Sequence, residues 1–265
     1  MPKSQRPKMS ALLKTEPSPS LPSCESNRNI CIEPIQASFS NREKRLGFAH
    51  PQTLEAAMEF ADVCRDCGLI DEAEQLYRRV LDVRQAARPD DPETLVCKLC
   101  LANVVRRQAL GKKKTGPELW AESEDLYRQT IEAYHRLLGP ADRATATAVY
   151  SLTRGLVSRG DFDSAENELR LLLSQQEAAL GPTSLEVFWT NHVLGWTLWK
   201  KKDYAAAAIL YQRAYDGRKS LLGDSNDLTK ASRSQLMRCV EASSAVEFGG
   251  RGVSIPVETV GDSEK

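Results

Sequence analysis

The chain repeats one pattern about every 42 residues, and that period constrains its fold more than any other feature. Leu138-Gly139, Leu180-Gly181 and Leu222-Gly223 mark equivalent points, and Leu46-Gly47 opens the series. Between them recurs a helical signature: Ala73-Glu74-Gln75-Leu76-Tyr77-Arg78, Ser123-Glu124-Asp125-Leu126-Tyr127-Arg128, Ala165-Glu166-Asn167-Glu168-Leu169-Arg170 and Ala207-Ala208-Ile209-Leu210-Tyr211-Gln212. A fixed period in this range belongs to stacked supersecondary units, none of which can bury its apolar face alone. The expected fold is therefore all-α, a solenoid of helical hairpins. Such a stack presents a long surface and not a closed pocket.

Helices are expected near 51–67, 70–86, 92–110, 118–137, 143–159, 162–179, 184–201, 204–221 and 226–246, making four hairpins and a closing helix. Pro51, Pro92 and Pro117 fall where helices begin, a position that needs no N–H. Gly68 and Gly160 fall where a first helix turns into a second. Small residues recur where paired helices must approach closely: Ala61, Ala102, Thr153 and Gly195 in first helices, Ala73, Ser123, Ala165 and Ala207 in second helices. Phe60, Leu101, Leu152, Leu194, Tyr77, Tyr127 and Tyr211 supply the bulk beside them. Residues 1–44 are rich in Ser, Pro and Asn and read as a disordered tail; 45–246 form the solenoid; 247–265 read as a second tail. The segment 226–246 is expected to cap the last hairpin through Leu236, Met237 and Val240.

These motifs resemble the tetratricopeptide repeat, in the 42-residue variety of kinesin light chains and related fungal and bacterial proteins. The resemblance rests on the Leu-Gly-x-x-His-Pro-x-Thr-Leu start at 46–54 and the Ala-Glu-x-Leu-Tyr-Arg second helix, and covers about residues 46–245. It implies a right-handed α-solenoid of about four TPR helical hairpins plus a C-terminal capping helix. It also implies that first helices line a concave, peptide-binding face. On that pattern the fourth copy places Trp189, His192, Val193, Trp196 and Trp199 in the groove. The second copy adds Leu99, Asn103, Arg106 and Arg107; the third, Tyr150, Ser151 and Arg154; the first, Glu55, Met58, Glu59 and Asp62. Three tryptophans on one helical stripe suggest an apolar anchor strip, because aromatics dominate interface energetics. Family features that hold a peptide backbone or a terminal carboxylate are missing. Glu59, Cys100, Ser151 and Val193 stand where kinesin light chains commonly carry Asn, and no basic and Asn clamp occurs.

Other chemistry is weakly supported. Cys64/Cys67 and Cys97/Cys100 form two Cys-x-x-Cys pairs, yet Cys97 is in register with Ala56 and not with Cys64. That offset of about eight residues puts the pairs about 12 Å apart along neighbouring helices, too far for one tetrahedral zinc. The cysteines are expected to be structural, with no metal and no cofactor. No catalytic constellation is visible among three histidines, so the chain is not expected to be an enzyme. Lys+Arg and Asp+Glu balance at 36 each, which favours neither nucleic acid nor an acidic membrane. Seven cysteines, an odd number, and the absence of an apolar leader suggest an intracellular, cytoplasmic setting, with the nucleus left open. Leu13-Lys14-Thr15-Glu16 and Ser18-Pro19 fit modification patterns, and Lys112-Lys113-Lys114-Thr115-Gly116 lengthens one turn with a basic loop. The expected function is a non-enzymatic adaptor that binds an extended peptide or helix with an apolar anchor. The alternatives are an assembly subunit of a larger complex and an autoinhibited regulator holding its own tail.

Overall fold

The computed structural model describes residues 28–111 and 116–247. The modification patterns near residues 13–19, residues 112–115 of the basic loop and the tail beyond 247 lie outside the described residues. Among the described residues the regular elements are ten helices and no strands. They are α1 (Arg28–Leu46), α2 (Pro51–Asp66), α3 (Ile70–Ala87), α4 (Pro92–Gly111), α5 (Gly116–Leu138), α6 (Arg143–Arg159), α7 (Phe162–Leu180), α8 (Leu185–Lys200), α9 (Tyr204–Leu222) and α10 (Asp227–Glu247). Nine of them match the helices read from the periodicity. The pairs α2/α3, α4/α5, α6/α7 and α8/α9 are the four expected hairpins.

Local chemistry sets the helix ends. Ser184, Asp142, Asp161 and Asp203 cap α8, α6, α7 and α9 by accepting from backbone N–H groups in the first turn. His50 does the same for α2 through Nδ1, followed by Pro51. The recurring Leu-Gly has a backbone cause: Gly139, Gly181 and Gly223 all lie at positive φ, near 92°, 83° and 82°, where a Cβ is strained.

The chain divides into two compact units, residues 1–133 and 134–265. In the first, the core joins Leu54, Ala57, Ala61, Cys64, Ala73, Tyr77, Val80, Cys97, Leu101, Val104 and Val105. In the second, Leu194, Leu198, Ala207, Tyr211 and Cys239 are fully buried. The small-residue register is confirmed in every copy: Ala61, Ala102, Thr153, Ala73, Ser123, Ala165 and Ala207 are all buried. Gly195 shows why: a Cβ there would lie 3.2 Å from the Tyr211 ring. Gly217 of α9 is tighter still, because a Cβ there would overlap the ring of Phe188. Large against small is how each hairpin closes.

Two features differ from expectation. Helix α1 occupies residues assigned by composition to a tail. Its Phe39 is buried, stacks on Phe60 with ring centroids 5.9 Å apart and meets Phe48 edge-on. Arg79 lies 4.0 Å over the Phe48 ring and pairs with Glu43 at 2.8 Å. Pro34 and the Ser- and Asn-rich composition hide the helical period of α1; the open face of α2 gives it something to pack on. The second difference is in α10. It docks on α9 through Cys239, Ala242 and a partly buried Leu236, whereas Met237 and Val240, expected in that contact, are exposed.

Candidate functional site

The fourth-copy stripe lies on α8. The inward side of this helix is fixed by Val187, Phe188, Thr190, Asn191, Leu194, Gly195 and Leu198, all buried. Turning the helix away from that core leaves Trp189, His192, Val193, Trp196 and Trp199 half-buried. Each indole has cationic or aromatic company. Trp189 is stacked with His192 at 6.2 Å and lies beneath the Arg218 guanidinium at 5.2 Å. Lys200 reaches over Trp196 at 5.9 Å and over Trp199 at 5.6 Å, and Arg238 of α10 lies 5.2 Å from Trp199. Trp196 and Trp199 also pack in part on the cluster of Leu198, Ala207, Tyr211 and Cys239. The stripe is thus a ledge, seated on core along one edge and open along the other.

Beneath the ledge is a buried polar seam. Thr190 Oγ1 and the Tyr150 hydroxyl from α6 are 2.6 Å apart, and Thr190 also donates to Gln176 of α7. His192 Nδ1 lies 3.2 Å from Ser232 Oγ of α10, and its ring meets Tyr211 edge-on at 5.0 Å. Burial, helped by the Arg218 charge, holds the imidazole far below its ordinary range, to about 3, so it is neutral at pH 7. Burial likewise pushes the Tyr150 phenol up to about 12.

Sequence reasoning missed Arg218, whose side chain is almost completely buried (1 % exposed). Its Nη1 donates to Leu228 O at 3.1 Å and to Ser232 Oγ at 2.7 Å, tying α9 to the start of α10. The same joint recurs in the first unit, where Arg84 Nη1 donates to Glu93 O at 2.9 Å. A signal was available: Arg84, Tyr134, Gln176 and Arg218 occupy one second-helix register, where a purely apolar core would carry no such polar series.

The other expected groove residues range from buried to exposed. In the first unit Asn103 accepts from the Tyr127 hydroxyl at 2.9 Å and donates to Leu99 O at 3.0 Å. Arg107 donates to Arg65 O at 3.0 Å. Arg106 is buried, and its Nε has no hydrogen-bond partner among the described residues. Asp62 accepts from Tyr77 and Arg65, both at 2.6 Å. Asp62 and Asn103 occupy equivalent positions, so in both hairpins a second-helix tyrosine takes up the polar first-helix group. In the second unit Arg154 is exposed. Asn103, Arg106 and Arg107 belong to one compact unit and Tyr150, Arg154, Trp189, His192, Trp196 and Trp199 to the other.

Cys64, Cys97 and Cys239 are buried. Desolvation raises the thiols of Cys64 and Cys239 to about 11 and those of Cys97 and Cys100 to about 12, so they fill space as thiols. Among the described residues no group of three or more His, Cys, Asp or Glu side chains is arranged to hold a metal. No described helix is long and apolar enough to cross a membrane.

Comparison with known proteins places this architecture. Residues 53–93 and 156–220 each match a tetratricopeptide repeat family model. Among solved structures, a Podosopora anserina protein assigned as a kinesin light chain, with nearly identical TPR-like repeats, superposes with a TM-score of 0.63 at 18 % identity, over 74 % of this chain and 90 % of that one. A variant of the same protein gives 0.63 at 17 % identity, over 74 % and 89 %. BtubC (BKLC) from P. vanneervenii gives 0.57 at 19 % identity, over 86 % and 94 %. At these identities the likeness is one of fold. No curated protein matches the chain.

Proposed function

We propose that this tetratricopeptide repeat protein is a non-enzymatic adaptor whose α8 ledge binds an extended peptide or helix through an apolar anchor. The observation that supports this reading is the half-buried state of Trp189, Trp196 and Trp199. The core beneath them is already complete with Leu194 and Leu198, both almost fully buried. Three large aromatic faces therefore remain partly open, where a partner can desolvate them. Lys200 and Arg238 beside the indoles favour a partner carrying acidic residues next to its anchor. The polar seam below, with Tyr150, Thr190, His192 and Ser232 already paired among themselves, serves to hold the ledge in place.

The test separates binding from packing. Trp196→Ala is expected to weaken capture of the natural partner by about 30-fold or more, as at hot-spot tryptophans, with the melting temperature nearly unchanged. Because Trp196 rests in part on the Leu198–Tyr211 cluster, a purely structural role predicts the opposite pattern. A large drop in melting temperature with full partner recovery would remove the support for a binding ledge.

A further inference from the structure

The two ends of the described chain are complementary halves of one hairpin. Among the described residues helix α10 is a first helix without its second. The positions filled by Ala61, Ala102, Thr153 and Gly195 in α2, α4, α6 and α8 are taken in α10 by Met237. Those of Cys64, Val105, Leu156 and Leu198 are taken by Val240. In the four complete hairpins both positions are buried against the second helix; in α10 Met237 is 53 % and Val240 49 % exposed. A terminal helix that served only as a cap would be polar there.

Among the described residues helix α1 is a second helix without its first. It ends in Leu46-Gly47, the register in which α5, α7 and α9 end. It is laced to the next second helix as α7 is to α9. Arg79 of α3 pairs with Glu43 of α1 across 36 residues, and Arg213 of α9 pairs with Glu177 of α7 across the same 36. Its register equivalent of Tyr77, Tyr127, Leu169 and Tyr211 is Ile35.

Sizes match across the missing pair. Where the second helix supplies Tyr, the first supplies Ala or Gly: Ala61 with Tyr77, Ala102 with Tyr127, Gly195 with Tyr211. Where it supplies the smaller Leu169, the first helix carries Thr153. Met237 is the bulkiest first-helix residue of this series, and Ile35 is smaller than the Tyr that faces Ala or Gly. The side of α1 turned toward the absent first helix is also polar and open, with Ser38, in the register of the buried Val80, Thr130, Leu172 and Ala214, and Asn41 both exposed. Antiparallel pairing in this register would set Asp227, whose side chain is 99 % exposed, opposite the Lys44-Arg45 end of α1.

We propose that copies of this chain associate head to tail, α1 of one copy docking on α10 of the next to complete a fifth hairpin. The contact is heterologous, so each assembled copy still offers a free end, and growth continues until a ring closes or concentration limits it.

Sedimentation velocity of the full chain over rising concentration is expected to show dimers and then larger species. Met237→Glu, on an exposed side chain, is expected to leave the melting temperature unchanged and to weaken association by about tenfold or more. Ser38→Arg, on the other end, is expected to do the same. Mixed together, these two variants should form a one-to-one dimer that grows no further, because each retains the end the other lacks. A wild-type chain that stays monomeric at every concentration, assembly indifferent to Met237→Glu, or failure of the two blocked variants to pair would each overturn the proposal.

Discussion

His192 shows how a single side chain carries information from fold to behaviour. It is an imidazole enclosed by Trp189, Tyr211, Ser232 and the Arg218 cation. Its pKa falls from an ordinary 6.5 to about 3. The unfolded chain therefore binds a proton between those values that the folded chain refuses. Stability is complete above about pH 6.5 and declines as pH falls toward 3. For one such group the loss between pH 7 and pH 5 is about 2 kcal/mol. Denaturant midpoints at the two pH values should show that decline, and His192→Gln should flatten it. A wild-type decline that persists undiminished in the variant would place the acid sensitivity elsewhere. The sequence put His192 on the tryptophan stripe. It did not show that the ring would be captured beneath it, because the partners come from α9 and α10, 19 to 40 residues away.

Helix α10 was read correctly as the element that closes the last hairpin, though not through the residues expected. Its docking side is Cys239, Ala242 and Leu236, extended by Ser232 and Leu228 O, which receive the buried Arg218. Removing α10 by ending the chain after Gly223 would strip those acceptors from a buried cation and uncover Tyr211. Unpaired buried charge is among the costliest defects a core can hold. The truncated chain is expected to lose solubility and to melt well below the full chain, by ten degrees or more on the usual conversion for a loss of several kcal/mol. Unchanged melting would mean that α10 contributes little to the stack. Helix α1 teaches the complementary lesson. Its outward residues are those of a polar segment, and its value lies in Phe39, which becomes legible only beside Phe60 and Phe48.

At the scale of the molecule, the described elements pack chiefly on their sequence neighbours, so stability should be nearly one-dimensional. A core defect should then be felt close to where it is made. Leu194 of α8 is completely buried, and Leu194→Ala is expected to cost about 2–5 kcal/mol locally. Native-state hydrogen exchange should show amides of α8, α9 and α10 losing protection while those of α2 and α3 in the first unit keep theirs. Equal loss throughout would instead mark a single cooperative block. Among the described residues, the first element lacks a first helix and the last a second helix.

The repeat alone determined the helical class, nine of the ten described helices, their pairing and the small-against-large register, because each of these depends on contacts within one period of the chain. The tertiary structure decided the rest: the recruitment of α1, the exposure of Met237 and Val240, the taking up of Asp62 and Asn103 by Tyr77 and Tyr127, and the buried Arg218 over Trp189. Each of these depends on which neighbour a side chain meets across the stack. Periodicity names the face a residue occupies; only packing decides whether that face is covered.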